Sequence, residues 1–301
     1  VAFPTETVYG LGADAFCAEA VEKIFKAKGR PPENPLLVHV SNLEQVHRLV
    51  THIPKDALRL MQEFWPGPLS IILPASSLVP DIVRGGKSGV GLRMPDHPVA
   101  LKLIEQAGPL AAPSANRYGR PSPISAEHVR TELDGQIAVV LDAGSAGIGV
   151  ESTLLDMQDG HCKLLRPGGI PREDIEAVLG KEIETEQGRA PAAYQTILDI
   201  RLGRDQEHLD NLIDNNIKQG KNIALVKYLQ RPEPHKQYTG LVQEYAMDLD
   251  GGGSRLYSII RECESGDIDL LVFAPLPANP GGIAAALIDR IKRAASVRPA
   301  E

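Results

Sequence analysis

The sequence predicts an α/β protein built in two unequal parts, and three observations carry that reading. Up to Gly180, short apolar runs alternate with amphipathic stretches through many short connections, the pattern of a mixed sheet with helices. After Gly180 the texture breaks, and Lys181 to Ala193 is polar with no clear period. From Thr196 strand and helix patterns alternate again, which predicts a smaller three-layer α/β/α domain around a parallel sheet. The expected organisation is a domain over residues 1–180, a linker over 181–195 and a second domain over 196–301.

Composition agrees with two soluble domains in 301 residues. Hydrophobic residues make up 43% and charged residues 24%, while aromatics at 4% leave the core to aliphatic side chains. A net charge of −7 gives no global electrostatic case for nucleic-acid binding, although a local basic groove stays open. Cys17, Cys162 and Cys263 are too few and scattered for a disulfide framework or a zinc pair, and they fit a cytoplasmic protein. No run approaches the ~18 apolar residues of a membrane span, and no signal peptide is expected. The chain begins at Val1, without Met and directly in an apolar strand, so the true N-terminus and any targeting segment stay open.

The elements follow in order. Val1 to Gly12 reads as a strand end breaking into a polar, Gly-containing turn. Residues 19–28 form an amphipathic helix with Val21, Ile24 and Phe25 on one face, stopped by Gly29 and the prolines beyond. Leu36 to Val40 is a strand, residues 42–50 and 54–64 are helices, and Trp65 to Pro68 is a turn into a strand over Leu69 to Leu73. Val90 to Met94 is a strand, 98–107 a helix, and Leu110 to Ala112 a strand leading into the Pro113 to Asn116 turn. Ser125 caps a helix beginning at Ala126. Ala138 to Asp142 is expected as a buried strand, and Thr153 to Met157 pairs with Cys162 to Leu165 across a turn at Gln158 to Gly160. In the second part, strands over 196–200, 223–228 and 268–274 alternate with helices over 206–219, 254–263 and 282–295. Gly251 to Gly253 reads as a helix-entry loop, because no Gly-x-Gly-x-x-Gly follows the first strand.

Several residue groups could carry chemistry. Lys28 and Arg30 place two cations, one glycine apart, at a helix end, and a hydroxyl-rich loop precedes them. That set suits an anionic ligand, or else marks a solvated helix end. Ser114 and Asn116 sit in a turn that a local Asx or Ser motif explains equally well. Thr5, Thr7 and Tyr9 either bind substrate or satisfy the loop backbone. Arg93 is a carboxylate fork or the partner of nearby Asp96. His39 lies in an apolar run, where a satisfied core histidine is the ordinary case. Glu151 holds a Mg2+ or braces its loop, and the residues do not choose. No Ser-His-Asp or Cys-His spacing supplies a covalent nucleophile.

Seven blocks run in order from Phe3 to about Gly180: PTETVYGLGADA, KAKGRPPENPLLVHV, FWPGPLS, VGLRMPDHP, PSANRYGRPSP, GVESTLLD and LLRPGGI. Together they resemble the YrdC-type threonylcarbamoyl-AMP synthases in their long, two-domain form. The resemblance implies a YrdC-like twisted mixed sheet followed by a Rossmann-like accessory domain. It implies that Lys28, Arg30, Ser114 and Asn116 hold ATP, with Lys28 and Arg30 as the catalytic cations, and that Ser152 and Arg166 contact the nucleotide. It places Thr5, Thr7, Tyr9, His39 and Arg93 around threonine. The reaction implied joins L-threonine, bicarbonate and ATP to give threonylcarbamoyl-AMP and pyrophosphate, with Mg2+ on the phosphates and no separate protein metal site. The product would feed a downstream transferase that modifies tRNA, and a tRNA contact belongs to the same expectation. The family linker carries a Pro-Gly … His-Tyr-(Ala/Ser)-Pro segment. Here Gly188 to Gln195 reads Gly-Arg-Ala-Pro-Ala-Ala-Tyr-Gln, a departure that leaves the implied lid role open.

Two rival readings compete with this one. A carbamoyl-adenylate-forming carbamoyltransferase would bring zinc-type Cys clusters or a metal-dependent transferase domain, and neither is visible. A non-catalytic RNA-binding module would need a local basic groove against the acidic balance of the chain.

Overall fold

The alternation of apolar runs and helical stretches resolves into separate sheets in a computed structural model of the chain. The structure describes residues 1–186, 196–229, 238, 241–250, 254–278 and 280–295. Two units separate, one formed by Val1–Tyr118 with Ser122–Arg189, the other by Ala190–Glu301 with Gly119–Pro121.

In the first unit, β1 (Ala2–Phe3) and β2 (Gly10–Leu11) pair antiparallel, Phe3 facing Gly10. The loop over residues 4–9 therefore leaves and returns at one point. After β3 (Ala13–Asp14) comes α1 (Ala18–Lys28), which buries Val21, Ile24 and Phe25. Burying side chains of this size contributes about 1.5–3 kcal/mol each. Gly29 ends the helix at φ 63°, a left-handed conformation that suits glycine, and the N–H groups of Gly29 and Arg30 bond back to Lys26 O and Phe25 O. That cap turns the chain just past Lys28.

β4 (Leu37–His39), α2 (Leu43–Leu49), α3 (Lys55–Phe64), β5 (Leu69–Pro74), α4 (Asp81–Arg84) and β6 (Gly89–Arg93) follow. Then come α5 (Pro98–Ala107), β7 (Leu110–Ala111), α6 (Ala126–Leu133), β8 (Thr153–Asp156), β9 (Lys163–Arg166), α7 (Arg172–Leu179) and β10 (Glu184–Thr185). Polar side chains start several helices: Asn42 accepts from Gln45 N and Ser125 from His128 N. The strands form an eight-stranded mixed sheet in the order β10-β9-β8-β5-β6-β4-β7-β3. β4 lies parallel to β6 and antiparallel to β7, which sets His39 level with Arg93 and with Leu110. Aliphatic side chains from the central strands, among them Val38, Leu69, Ile71, Leu73, Leu92 and Leu155, fill the core.

The second unit runs β11 (Asp199–Leu202), α8 (Gln206–Ile217), β12 (Ile223–Tyr228), β13 (Val242–Met247), α9 (Ser254–Ser265), β14 (Leu270–Phe273) and α10 (Gly282–Ala295). Its four strands are parallel in the order β11-β14-β12-β13. The central strands are almost wholly buried, as expected for a parallel sheet covered on both faces.

Four sequence expectations are corrected. Ala138 to Asp142 is not a buried strand: Val139 is exposed, and the segment only brackets Ala2 through Ala2 N to Val139 O and Leu141 N to Ala2 O. Its apolar composition reflects one-sided contact with a two-residue strand. The short helices α4 and α7 were not anticipated, and neither was β13, an edge strand whose exposed Gln243 and Glu244 hide its strand character. The first strand of the second unit is Asp199–Leu202 rather than 196–200. The segment expected as linker opens with β10, which pairs parallel to β9. The rest of that segment, over residues 187–195, and the Gly251 to Gly253 loop lie outside the described residues.

Candidate nucleotide and amino-acid site

The loop after β1 is fixed by its own hydroxyls. Thr5 Oγ1 accepts from Thr7 N and Val8 N, donates to Val8 O at 2.6 Å, and lies 2.9 Å from Thr7 Oγ1. Both threonines are buried. The backbone of the same loop joins three other segments: Tyr9 N donates to Pro123 O, Ala115 N to Tyr9 O, Ile148 N to Glu6 O and Gly149 N to Thr7 O. The fully buried Tyr9 points away from open solvent. Its hydroxyl donates to Gly144 O at 2.6 Å and accepts from Ala143 N at 3.3 Å. Desolvation raises its pKa.

Lys28, at the end of α1, reaches across to the Ser114–Asn116 turn. Its Nζ donates to Ser114 O at 2.5 Å and to Asn116 O. Only 3% of the residue is exposed, so the solvated alternative is excluded. Burial, aided by the charge of Arg30 and opposed by Glu132, pushes its pKa down from 10.5 to about 7. Arg30 folds back on its own turn, Nε to Asn34 O at 3.2 Å and Nη2 to Pro35 O at 3.1 Å, with its guanidinium 5.7 Å from the centre of the Tyr118 ring. Tyr118 N donates to Lys28 O, and Tyr118 Oη accepts from Asn34 Nδ2, so the two turns are zipped together. Asn116, buried beside them, donates through Nδ2 to Arg117 O.

A further set converges from β8 and β9. Arg166 donates through Nε and Nη2 to Ser152 O and through Nη2 to Ser152 Oγ, which lies 2.7 Å from Ser70 Oγ. Ser122 Oγ donates to Glu151 Oε1 at 2.7 Å, which favours the bracing role for that carboxylate. Gly168 closes over this loop. A Cβ there would come within 2.2 Å of Thr153 N and 2.3 Å of Ser152 C.

Arg93, at the end of β6, pairs with Glu6 and not with Asp96: Nη2 to Oε1 is 2.7 Å, while Nε donates to Gly67 O at 3.3 Å. The ion pair is close in distance but is not aligned as a hydrogen bond. Both Glu6 carboxylate oxygens, Arg93 Nη2 and the neighbouring His39 Nδ1 are buried without a hydrogen-bond partner. Burial, with Arg93 beside it, lowers the His39 pKa to about 3, so the ring is neutral at physiological pH. Phe3 packs edge-on against it at 5.9 Å. His97 caps α5 by accepting from Val99 N, and Glu6 and Asp96 both act on its charge.

Lys28, Arg30, Ser114 and Asn116 thus form one cluster, Ser152 and Arg166 a second, and Arg93 and His39 a third. Thr5, Thr7 and Tyr9 build the loop that joins them. Sequence reasoning missed Glu6, whose signal was a lone carboxylate inside a loop of hydroxyls, and Tyr118, an aromatic beside a turn. Among the described residues no three His, Cys, Asp or Glu side chains group as a metal site.

A buried lysine and a stacked arginine at a helix end, facing a polar turn and sharing a loop with a buried acid–arginine–histidine cluster, define an α/β protein suited to a phosphate-bearing ligand and a small polar molecule together. Residues 1–168 match the Sua5, YciO and YrdC family model described as "Telomere recombination", and residues 170–296 match "Threonylcarbamoyl-AMP synthase, C-terminal domain". The chain belongs to the two-domain YrdC/Sua5-type threonylcarbamoyl-AMP synthase family. It is 38% identical to the threonylcarbamoyl-AMP synthase of Pyrococcus abyssi, over 99% of this chain and 91% of that protein. With that of Bacillus subtilis it shares 39% identity, over 99% and 90% respectively. The crystal structure of P. abyssi Sua5 complexed with L-threonine superimposes with a TM-score of 0.89 at 36% identity, covering 98% of this chain and 90% of that one.

Proposed function

We propose that this protein is an L-threonylcarbamoyladenylate synthase. It condenses L-threonine, bicarbonate and ATP into threonylcarbamoyl-AMP and pyrophosphate, and the product supplies a downstream tRNA threonylcarbamoyl transferase in the cytoplasm. The observation that carries the reading is the shared loop: the Lys28 cluster and the Glu6–Arg93–His39 cluster both rest on residues 5–9. A nucleotide and an amino acid held on one loop meet without a diffusive step. The full-length likeness to relatives named for this activity supports it, as does the likeness to a structure holding L-threonine.

In this reading Lys28 and Arg30 neutralise the triphosphate, Lys28 as a point charge and Arg30 through the guanidinium edge not used by Asn34 and Pro35. Ser114, Asn116, Ser152 and Arg166 fix the rest of the nucleotide, and Arg93 takes the amino-acid carboxylate. Thr5, Thr7 and Tyr9 act by shaping the loop. His39, neutral, offers a ring nitrogen rather than a charge. A Mg2+ would enter with the triphosphate, held by phosphate oxygens and water, to offset their charge. Glu151, already accepting from Ser122, is the carboxylate flanking Ser152.

The test is pyrophosphate release from ATP and bicarbonate with L-threonine, serine or carbamoyl phosphate, using Lys28→Ala and Arg30→Ala as controls. Threonine- and bicarbonate-dependent release that both variants lose is the expected result. Release driven by carbamoyl phosphate alone would move the protein to carbamoyl transfer. RNA binding without any turnover would leave only a binding module.

A further inference from the structure

We infer that Glu6 is the group that receives the ammonium of the amino-acid substrate, so that Glu6 and Arg93 together form a receptor for a zwitterion. The inference rests on the synthase reading and extends it to a residue that reading leaves without a role.

Arg93 is 3% exposed, and a buried guanidinium needs a counter-charge; Glu6 supplies it at 2.7 Å. Bracing Arg93 would account for one carboxylate oxygen. Oε2 then remains, shielded from water, with no donor at all. A buried carboxylate oxygen without a donor is costly, and native proteins rarely leave one unexplained. Arg93 Nη1 is likewise engaged by no described hydrogen bond or ion pair, and His39 Nδ1 is unpaired beside it. The groups left over are thus a negatively charged acceptor and a positively charged donor in contact with each other, with a ring nitrogen level with the arginine on the neighbouring strand.

An α-amino acid carries the complementary set, because its carboxylate and ammonium sit on one carbon. A carboxylate on Nη1 and an ammonium on Oε2 complete both residues without adding net charge to a buried site. The charged groups facing Glu6 are Arg93 on β6 and His97 before α5, and Asp96 acts on His97 as its other charged neighbour. Neither Arg93 nor His97 donates a hydrogen bond to Oε2: Arg93 Nε is held by Gly67 O, and the hydrogen bond His97 makes is the one its Nδ1 accepts from Val99 N. The pair also supplies specificity. An arginine alone would accept any small carboxylate, whereas an unsatisfied acid beside it rejects hydroxy and keto acids that bring no ammonium.

Calorimetric binding of L-threonine and of 3-hydroxybutanoate, the same molecule without the amino group, to wild type and to Glu6→Gln tests this. Wild type is expected to bind threonine at least tenfold more tightly than the analogue. Glu6→Gln is expected to lose about 10- to 100-fold in threonine affinity, the range for a lost charge-assisted hydrogen bond, while binding the analogue within about threefold of wild type. Parallel loss of both ligands would mean that Glu6 only positions Arg93, and would overturn the inference. If Glu6→Gln does not fold, the wild-type comparison decides, because equal affinity for the two ligands refutes an ammonium site. Wild type that binds ATP but ignores threonine would sink the amino-acid reading itself, whereas threonine bound equally by both proteins would sink only the role of Glu6.

Discussion

Lys28 gives the sharpest prediction, because its burial and its ligand pull its proton in opposite directions. In the free protein its amine titrates near pH 7 instead of 10.5, chiefly through desolvation and secondly through Arg30. At 1.36 kcal/mol per pKa unit, keeping the amine charged in that position costs about 5 kcal/mol relative to the unfolded chain. Between pH 7 and 10.5 the unfolded chain holds this proton and the folded one does not, so stability rises with pH across that window. A bound polyphosphate reverses the balance by favouring the ammonium. Binding of ATP at about pH 8.5, where its phosphates are fully ionised, should therefore draw close to one proton from solution. At about pH 6, where Lys28 is already charged, that uptake should vanish. Affinity should fall by up to about tenfold for each pH unit above 7, until the pKa of the complex is reached. Titration calorimetry in buffers of different ionisation enthalpy reads the proton count directly. Uptake near zero at pH 8.5, or uptake that persists in Lys28→Met, would refute the placement of the phosphates on Lys28.

Two further outcomes separate structural from ligand-binding roles. Tyr9→Phe removes the hydroxyl that bonds Gly144 O and Ala143 N, so it should cost about 1–2 kcal/mol in chemical denaturation. It should leave the KM for threonine nearly unchanged, and a large KM effect with unchanged stability would return Tyr9 to the substrate. Gly168→Ala forces a Cβ into the backbone of Ser152 and Thr153, which must displace the loop that Arg166 holds. A loss of about 2 kcal/mol or more is expected, with a raised KM for ATP and an unchanged KM for threonine. A variant as stable and active as wild type would show that the Ser152 loop moves freely.

The division between what the sequence reveals and what it hides follows the range of the interactions. Helix α1 was legible because its apolar spacing, its Gly stop and its prolines are all local. The same local view could not say whether Lys28 is solvated, since its two acceptors sit on Ser114 and Asn116, far along the chain. Arg93 makes the point more sharply. Its nearest acid in sequence is Asp96, but β6 turns its end toward the loop after β1, where Glu6 is the partner. Ala138 to Asp142 failed for the opposite reason: an apolar run reads as buried unless one knows that only a two-residue strand lies beside it.

Burial is what changes the chemistry of these side chains, and burial is decided by pairing between distant segments. A lysine of ordinary pKa at a helix end is a solvated charge; the same lysine sealed under the Ser114–Asn116 turn titrates near neutrality, so its charge responds to what lies beside it. In the same way a carboxylate in a hydroxyl-rich loop is unremarked until β6 delivers Arg93 beside it and leaves its second oxygen without a donor. Both clusters hang on the loop over residues 4–9, whose hydroxyls are consumed internally by Thr5, Thr7 and Tyr9. That consumption holds the loop backbone in place without a ligand, so the cation side and the acid side keep their positions before either ligand binds. The hydroxyls that look most like ligands in the sequence therefore contribute by being already satisfied, and the charged groups left incomplete beside them are the ones the proposed function assigns to substrate.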